Sequence, residues 1–291
     1  MKSIDDKILL NSGRNCLRYI VKAYQIREIN IPYYICPVIW QVLKEENVKI
    51  NFYHIDMNFI PVKTFGSEEY VLYPNYFGIC SKQAEKLASA YKNLILDNAH
   101  ALFAPKKGIA AFYSPRKFFK VNDGGILDCS CDSAENFVRD DDRLEKILTY
   151  DEFCKNELSL YNNPIKRMSF KTEQFLKNID FNQTKREKRL IFDKIHQKLR
   201  RINDFDFSVT KSDVPMVYPI KSKNMAEIAK ILTECNIYLL KYWTSLPNEF
   251  QESFFQNEIL YIPITQKSLK VIENFKFFAE QRTLRKQSEQ L

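Results

Sequence analysis

Glycine is scarce in this sequence, with six residues among 291, and no linker rich in proline, serine or glutamine interrupts the chain. No repeat of fixed period is visible either. Because disordered and repeat proteins are built from such segments, both classes are excluded, and disorder is expected only at the ends. A composition that is 45% hydrophobic and 14% aromatic supports instead a sizeable core, as one large or two smaller domains.

Long hydrophobic runs are also missing. The longest uncharged run, residues 29–43, contains Asn30, Pro32, Pro37 and Gln41, and it is too short and too interrupted to span a bilayer. The first ten residues, MKSIDDKILL, carry two aspartates ahead of a short apolar patch and do not resemble a signal peptide. We therefore expect a cytoplasmic protein without a membrane span.

Patterns that bind metal are sparse. The chain has seven cysteines, an odd number, which favours reduced thiols over a disulfide framework. Cys129 and Cys131 form a close pair, but no second pair with ligand spacing accompanies them, and the three histidines are scattered. No metal site is expected.

Positive charge is in excess, with a formal net charge of +8. Much of it lies in KREKR (185–189) and KLRR (198–201), inside a predicted long helix, where a solvated helical face is the simplest interpretation. No recognised nucleic-acid-binding motif accompanies these runs, so no nucleic acid partner is expected. A positive field would favour a substrate linked to a nucleotide or a lipid diphosphate.

Helical and strand-like segments alternate through the first half of the chain. Residues 14–27 place apolar side chains at helical spacing, and further predicted helices at 37–46 and 81–93 are separated by short apolar or β-branched runs. This order indicates βαβ units around a mostly parallel sheet. We predict a three-layer α/β/α large domain over residues 1–165.

The second half of the chain has fewer strand-like segments. A helix-rich stretch at 171–201 precedes the apolar segments VPMVYPI, IYLLKYW and ILYIPIT, and helical patterns occupy 224–236 and 268–281. We predict a smaller α+β domain over residues 166–291, which includes a long interdomain helix.

Polar residues follow the predicted strands of the first half at the points where those strands end. Strand LILD ends in Asp97, and His100 follows three residues later. In open α/β sheets, ligands bind beyond the carboxyl ends of the strands. Asp97 therefore marks a candidate site, although His100 taken alone has the simpler interpretation of a core histidine.

Two further segments are expected near Asp97 by the same rule. Strand IAAFYS ends at Ser114, which is followed by Lys117 and by a glycine pair at 124–125. The segment SGRN, residues 12–15, enters the first helix, and its backbone N–H groups offer an anion site. Each has a simpler interpretation as well: Lys117 as a surface lysine, and SGRN as a plain helix cap.

Together these features match the chemical needs of pyridoxal 5'-phosphate. Its phosphate takes N–H donors and a hydroxyl, and a buried carboxylate such as Asp97 keeps its pyridine nitrogen protonated. Its aldehyde takes an amine, and a lysine in a dry pocket near other cations has a lowered pKa that makes it nucleophilic. Lys117 is the candidate amine.

The order of SGR, LDNAHALFA and YSPRKFF..NDGGIL resembles the DegT/DnrJ/EryC1/StrS family of sugar aminotransferases, which have the aspartate-aminotransferase fold, type I. The segments at 31–56, 166–189 and 259–265 resemble further parts of the family's pattern, so the resemblance covers nearly the whole chain. It implies a pyridoxal-phosphate-dependent enzyme with a fold type I large domain.

The resemblance also implies roles for individual residues. Lys117 matches the Schiff-base lysine, because the family's lysine precedes its paired glycines by seven and eight residues, as here. Asp97 matches the carboxylate on the pyridine nitrogen, and His100 matches the residue that packs by the ring. A lysine at 117 argues against the family's dehydratase branch, which has histidine there.

Three residues match phosphate-binding positions of the family. Gly13 and Arg14 match the phosphate-binding turn, and Ser114 matches the serine of the S-x-x-K pattern in type I enzymes. The family usually has a small residue where this chain has Arg14. That side chain either reaches the phosphate or the substrate, or blocks part of the pocket. Arg167 and Arg186 are candidates for binding a donor carboxylate.

The function implied by the resemblance is transfer of an amino group from an amino acid, such as glutamate, to a keto sugar. The resemblance also implies that the acceptor is nucleotide-linked and that the pathway is surface polysaccharide or amino-sugar biosynthesis. It implies that the protein assembles as a homodimer. The alternative is a non-catalytic relative that keeps the fold and acts as a binding or assembly subunit in a polysaccharide pathway. Arg14 and the apparent trimming of the second half motivate that alternative.

Overall fold

The computed structural model describes residues 3–130, 137–142, 149–161 and 163–274. Its strands are β1 (Ile8–Leu10), β2 (Glu28–Pro32), β3 (Lys49–Tyr53), β4 (Val71–Pro74), β5 (Leu94–Asp97), β6 (Ala110–Tyr113), β7 (Gly125–Cys129), β8 (Val217–Ile220) and β9 (Leu260–Pro263). Its α-helices are α1 (Gly13–Ala23), α2 (Pro37–Glu45), α3 (Ser81–Ala90), α4 (Tyr150–Tyr161), α5 (Phe170–Lys177), α6 (Phe181–Leu199), α7 (Met225–Glu234), α8 (Ser253–Asn257) and α9 (Gln266–Asn274).

The first seven strands form one sheet in the order β1-β7-β6-β5-β4-β2-β3. The five strands β2 to β6 are parallel to their neighbours in this set, whereas β7 and β1 pair antiparallel at one edge. Parallel strands need covered faces, since the helices that connect them pack on both sides. The mostly parallel sheet predicted from the alternating pattern is confirmed.

Alternating side chains of β5 show how the sheet divides the core into two layers. Leu94 and Leu96 belong to a cluster that includes Leu87 of α3, while Ile95 belongs to a second cluster that includes Leu17 of α1. Successive strand residues point to opposite faces, so a four-residue apolar run reaches both helical layers. The predicted three-layer α/β/α architecture is confirmed.

The start of α1 is held close to the start of β7. The Ser12 side chain accepts a hydrogen bond from the Asn15 N–H at 3.2 Å and caps the helix. A side chain at Gly125 would place its Cβ 2.3 Å from the Ser12 carbonyl oxygen, and Gly124 has φ +115. Glycine is therefore needed at both positions: at Gly124 for the positive φ angle, and at Gly125 for the close approach of the Ser12 carbonyl oxygen.

A second, two-stranded sheet of β8 and β9 lies in the later half of the chain. It packs with α6, α7 and α9 around Phe192, Tyr218 and Ile262. Another core cluster crosses between the halves, with Tyr73 and Val217 among its members. The domain boundary after residue 165 stays a prediction.

One predicted strand is not observed. The segment IYLLKYW, residues 237–243, is irregular rather than a strand, because Tyr242 and Trp243 turn inward to pack on the first half of the chain. The helix-rich stretch predicted at 171–201 is observed as α5 and α6, and Asp180 caps α6 by accepting from the Gln183 N–H at 2.9 Å. The last predicted helix is observed as far as Asn274, and its remainder lies outside the described residues.

Five cysteines in the described ranges are free thiols: Cys16, Cys36, Cys80, Cys154 and Cys235. Cys129 is disulfide-bonded, so the expectation of reduced thiols is wrong at that position. Cys131 lies outside the described residues. No helix in the described part of the chain combines the length and the apolar character needed to cross a bilayer.

Candidate active site

The structure places Asp97 and Lys117 beyond the ends of two neighbouring parallel strands. Asp97 is the last residue of β5 and lies opposite Phe112 of β6. The chain leaves β6 after Tyr113 and forms a 3-10 turn, Pro115–Lys117, closed by a hydrogen bond from the Lys117 N–H to the Ser114 carbonyl oxygen at 3.2 Å. Strand pairing therefore brings together two residues that are twenty positions apart.

The Asp97 carboxylate is buried and has few partners. Its side chain accepts one hydrogen bond within the described part of the chain, from the Ala99 N–H at 2.9 Å. Burial raises the pKa of this carboxyl above its usual value, and the nearby charge of Lys117 acts in the opposite direction. Asp97 is thus a carboxylate that would gain from a cationic hydrogen-bond donor.

Lys117 is exposed to solvent and lines a cavity beside the sheet. Desolvation by the protein around the amine lowers the pKa of the lysine, and the charge of Asp97 partly restores it. The guanidinium groups of Arg116 and Arg14 lower the same pKa further. A lowered pKa eases loss of the proton, and this is the direction expected of a reactive lysine.

His100 lies in an aromatic cluster close to Lys117. Its ring stacks on Trp243 with centroids 5.5 Å apart and an interplanar angle of 6°, and it also stacks on Phe77 at 5.5 Å. Tyr242 meets it edge-on at 5.3 Å. Burial, with a smaller contribution from Lys117, holds the pKa of His100 well below its ordinary value, so the imidazole is neutral.

The turn at the start of α1 faces the same region. The Ser12 side chain caps Asn15, and the N–H of Arg14 has no hydrogen bond in the described part of the chain. The N–H of Gly13 lies beside it at the first position of α1. Ser114 begins the 3-10 turn, and its side chain does not cap it. These are the donors that the sequence assigned to a phosphate.

The Arg14 side chain forms an ion pair with a carboxylate of this chain. Its guanidinium lies 3.6 Å from Glu157 of α4 and 5.8 Å from the centroid of the Tyr161 ring. Arg116 pairs with the same glutamate. Glu157 therefore neutralises part of the positive charge that surrounds Lys117.

A cavity of about 310 Å³ opens beside Lys117, between the large sheet and the second half of the chain. Its lining residues are Lys117, Phe118, Lys188, Pro215, Met216, Val217, Leu240, Tyr242, Tyr261, Pro263, Ile264 and Thr265. Asp97 does not line it. Neither does Arg167, which pairs with Glu173 at 3.7 Å, nor Arg186.

Several site residues were not found from the sequence. Trp243 and Tyr242 lie in a segment that was predicted to be a strand, and Glu157 belongs to a helix with no motif around it. Lys188 lies in the basic run 185–189, which was interpreted as a solvated helical face. Trp243 carried one available signal: it is one of only two tryptophans in the chain. Among the described residues, no three histidine, cysteine, aspartate or glutamate side chains cluster as metal ligands would.

The described part of the chain has the fold type I architecture that the sequence resemblance implied. Solved structures with the same fold include the PLP form of Spr1654 from Streptococcus pneumoniae, described as a sugar aminotransferase. The two chains are 13% identical, with a TM-score of 0.64 over 94% of this chain and 87% of that one.

Two further structures share the fold. A DegT DnrJ EryC1 StrS aminotransferase from Brucella abortus has 11% identity and a TM-score of 0.60, over 94% of this chain and 86% of that one. The E. coli GDP-4-keto-6-deoxy-D-mannose-3-dehydratase has 13% identity and a TM-score of 0.64, over 94% and 87%. No protein-family model matches the sequence, and no curated protein matches it. At these identities the likeness establishes the fold.

Proposed function

We propose that this protein is a pyridoxal-phosphate-dependent aminotransferase that moves an amino group from an amino acid, such as glutamate, to a keto sugar. The observation that carries the proposal is the position of Lys117, in the turn that follows β6, near the buried Asp97 that ends the neighbouring strand β5. A nucleotide-linked acceptor, a role in surface polysaccharide or amino-sugar biosynthesis, a cytoplasmic location and a homodimer are parts of the same proposal.

The polar groups at the site fit both the ring nitrogen and the phosphate of the cofactor. Asp97 is buried with a raised pKa and one hydrogen bond, and a protonated pyridine nitrogen would satisfy it. The N–H groups of Gly13 and Arg14 stand at the N-terminus of an eleven-residue helix, where backbone donors and the helix dipole favour a phosphate. The Ser114 hydroxyl is available as a further donor.

When bound, the cofactor would supply an electron sink for negative charge that develops on the amino-bearing carbon. Lys117 is assigned the covalent attachment and, once free, the movement of the proton at that carbon, as general base and acid. Asp97 holds the proton on the ring nitrogen. His100, neutral and packed against Trp243, adds no competing positive charge beside the ring.

Covalent trapping tests the attachment. Protein incubated with pyridoxal phosphate and reduced with borohydride should gain the mass of one cofactor, measured by mass spectrometry of the intact chain. Lys117→Ala should gain none. Lys120→Ala, which removes an exposed lysine three residues along, is the matched control and should gain it fully. A wild-type chain that gains no mass, or a Lys117→Ala chain that does, contradicts the proposal.

A non-catalytic relative is the second candidate, and the ion pairs of Glu157 favour it. This glutamate occupies both Arg14 and Arg116, which otherwise would face a phosphate or an anionic substrate. The two candidates differ in one measurement. A catalytic protein, once yellow with cofactor, loses that colour when glutamate or another amino acid is added. A protein that binds the cofactor and stays yellow with every amino acid tested supports the non-catalytic role.

A further inference from the structure

The cavity beside Lys117 contains a second lysine, Lys188, which lies near the middle of α6. The remaining walls come mainly from apolar side chains of the second half of the chain, among them Met216, Leu240 and Ile264. No aspartate or glutamate is among the lining residues that the structure describes. The cavity thus presents two amines and an apolar surface.

Lys188 has no ion pair in the described part of the chain. Its Nζ lies 5.8 Å from the centroid of the Phe118 ring, a weak partner for a cation, and burial lowers the pKa of the amine. The neighbouring Arg189 contrasts with it. Arg189 pairs with Asp193 at 2.9 Å and donates to the carbonyl oxygens of Thr210 and Asp213. A partly buried cation without a counter-ion is costly, and it is expected where a ligand supplies the missing charge.

We propose that Lys188 binds the anionic group, carboxylate or phosphate, of the molecule that reacts at Lys117. The inference rests on the proposed function and adds the substrate feature that this site recognises. A volume near 310 Å³ is at the small end of ligand cavities, so an occupant the size of an amino acid fills it. Met216, Leu240 and Ile264 would contact its hydrocarbon part, while Lys188 holds the charge.

Equilibrium binding of unreactive probes tests this role separately from catalysis. Glutarate represents the carboxylate of an amino acid donor, and uridine diphosphate represents the phosphates of a nucleotide-linked acceptor. Isothermal titration measures the Kd of each probe for the wild type, Lys188→Met, Lys188→Arg and Lys194→Met. Lys194 is exposed on the same helix and does not line the cavity, so the same substitution there controls for the loss of surface charge. The cofactor content of each preparation is measured by absorbance.

The wild type is expected to bind glutarate, and Lys188→Met to bind it at least about tenfold more weakly, since a hydrogen bond to a charged group is lost. Lys188→Arg should retain most of the affinity, and Lys194→Met all of it. If only the Kd of uridine diphosphate rises in Lys188→Met, the anion that Lys188 binds is a phosphate. That result would also support the proposal.

Two outcomes overturn the role of Lys188. Either the wild type binds neither probe, or Lys188→Met binds both as the wild type does. Preparations that hold cofactor in these cases leave the aminotransferase proposal standing. Failure of that proposal is recognised independently, by the absence of cofactor attached to Lys117 in the wild type.

Discussion

Two buried aspartates at the same edge of the large sheet differ in how many hydrogen bonds their carboxylates accept. Asp123 is inaccessible to solvent and accepts hydrogen bonds from the Ser169 N–H and hydroxyl, each at 2.7 Å, and from the Thr172 hydroxyl. Asp97 is 9% exposed and accepts only the Ala99 N–H in the described residues. The region of Asp123 ties the loop before β7 to the start of α5. The region of Asp97 leaves a carboxylate incompletely paired beside a lysine.

The difference separates a structural carboxylate from a candidate reactive one. A buried charge whose lone pairs are all satisfied stabilises the fold through the groups it organises. A buried charge that lacks partners costs stability, and such a cost is typical of a site that a ligand completes. Matched substitutions at the two positions should therefore have opposite consequences.

The largest expected effect is on the reaction rate of Asp97→Asn. Losing the carboxylate on the ring nitrogen should cost several kcal/mol of barrier, on the order of a thousandfold in rate. The free energy of unfolding should not fall, because the buried charge is removed while the shape is kept. The rate of amino transfer per molecule of bound cofactor, together with urea unfolding, measures both. An Asp97→Asn variant that reacts at the wild-type rate would contradict the assignment of Asp97 to the active site.

Asp123→Asn should instead lower the free energy of unfolding, by about 3 kcal/mol. The new amide keeps one acceptor oxygen, and its NH2 group faces either the Ser169 N–H or the hydroxyls of Ser169 and Thr172. The negative charge is lost as well, and hydrogen bonds to charged groups contribute about 1.5–3 kcal/mol each. Urea unfolding of the cofactor-free protein gives the difference from the wild type. A variant as stable as the wild type would show that the two carboxylates do not differ as described.

A smaller effect is expected in how stability depends on pH. Because burial raises the pKa of Asp97, the folded protein binds that proton more tightly than the unfolded chain does. Asp97 therefore costs stability as the pH rises above the ordinary carboxyl value of about 4. The advantage of Asp97→Asn over the wild type in free energy of unfolding should vanish at low pH and grow toward neutrality. Urea unfolding of cofactor-free protein across this range measures it, and an advantage independent of pH would refute the assignment.

Sequence reasoning succeeded where a residue's position follows from its own strand. The apolar run of Leu94, Ile95 and Leu96 predicts a buried strand, and the strand places Asp97 at its end. It failed at 237–243, where apolar residues suggested a strand. That segment is irregular because Trp243 packs on His100, a contact across 143 residues that no local pattern encodes.

The sequence by itself determined the layered fold and the edge of the sheet at which Asp97 and Lys117 meet. The reason is that the patterns that predict helices and strands, and the residues that end each strand, are local along the chain. Only the tertiary structure decided which groups surround those two. Glu157 neutralises Arg14, Trp243 covers His100, and Lys188 reaches the cavity without a counter-ion among the residues that the structure describes. Burial and electrostatic interaction depend on distance in space, and distance in space is set by how the two halves of the chain pack.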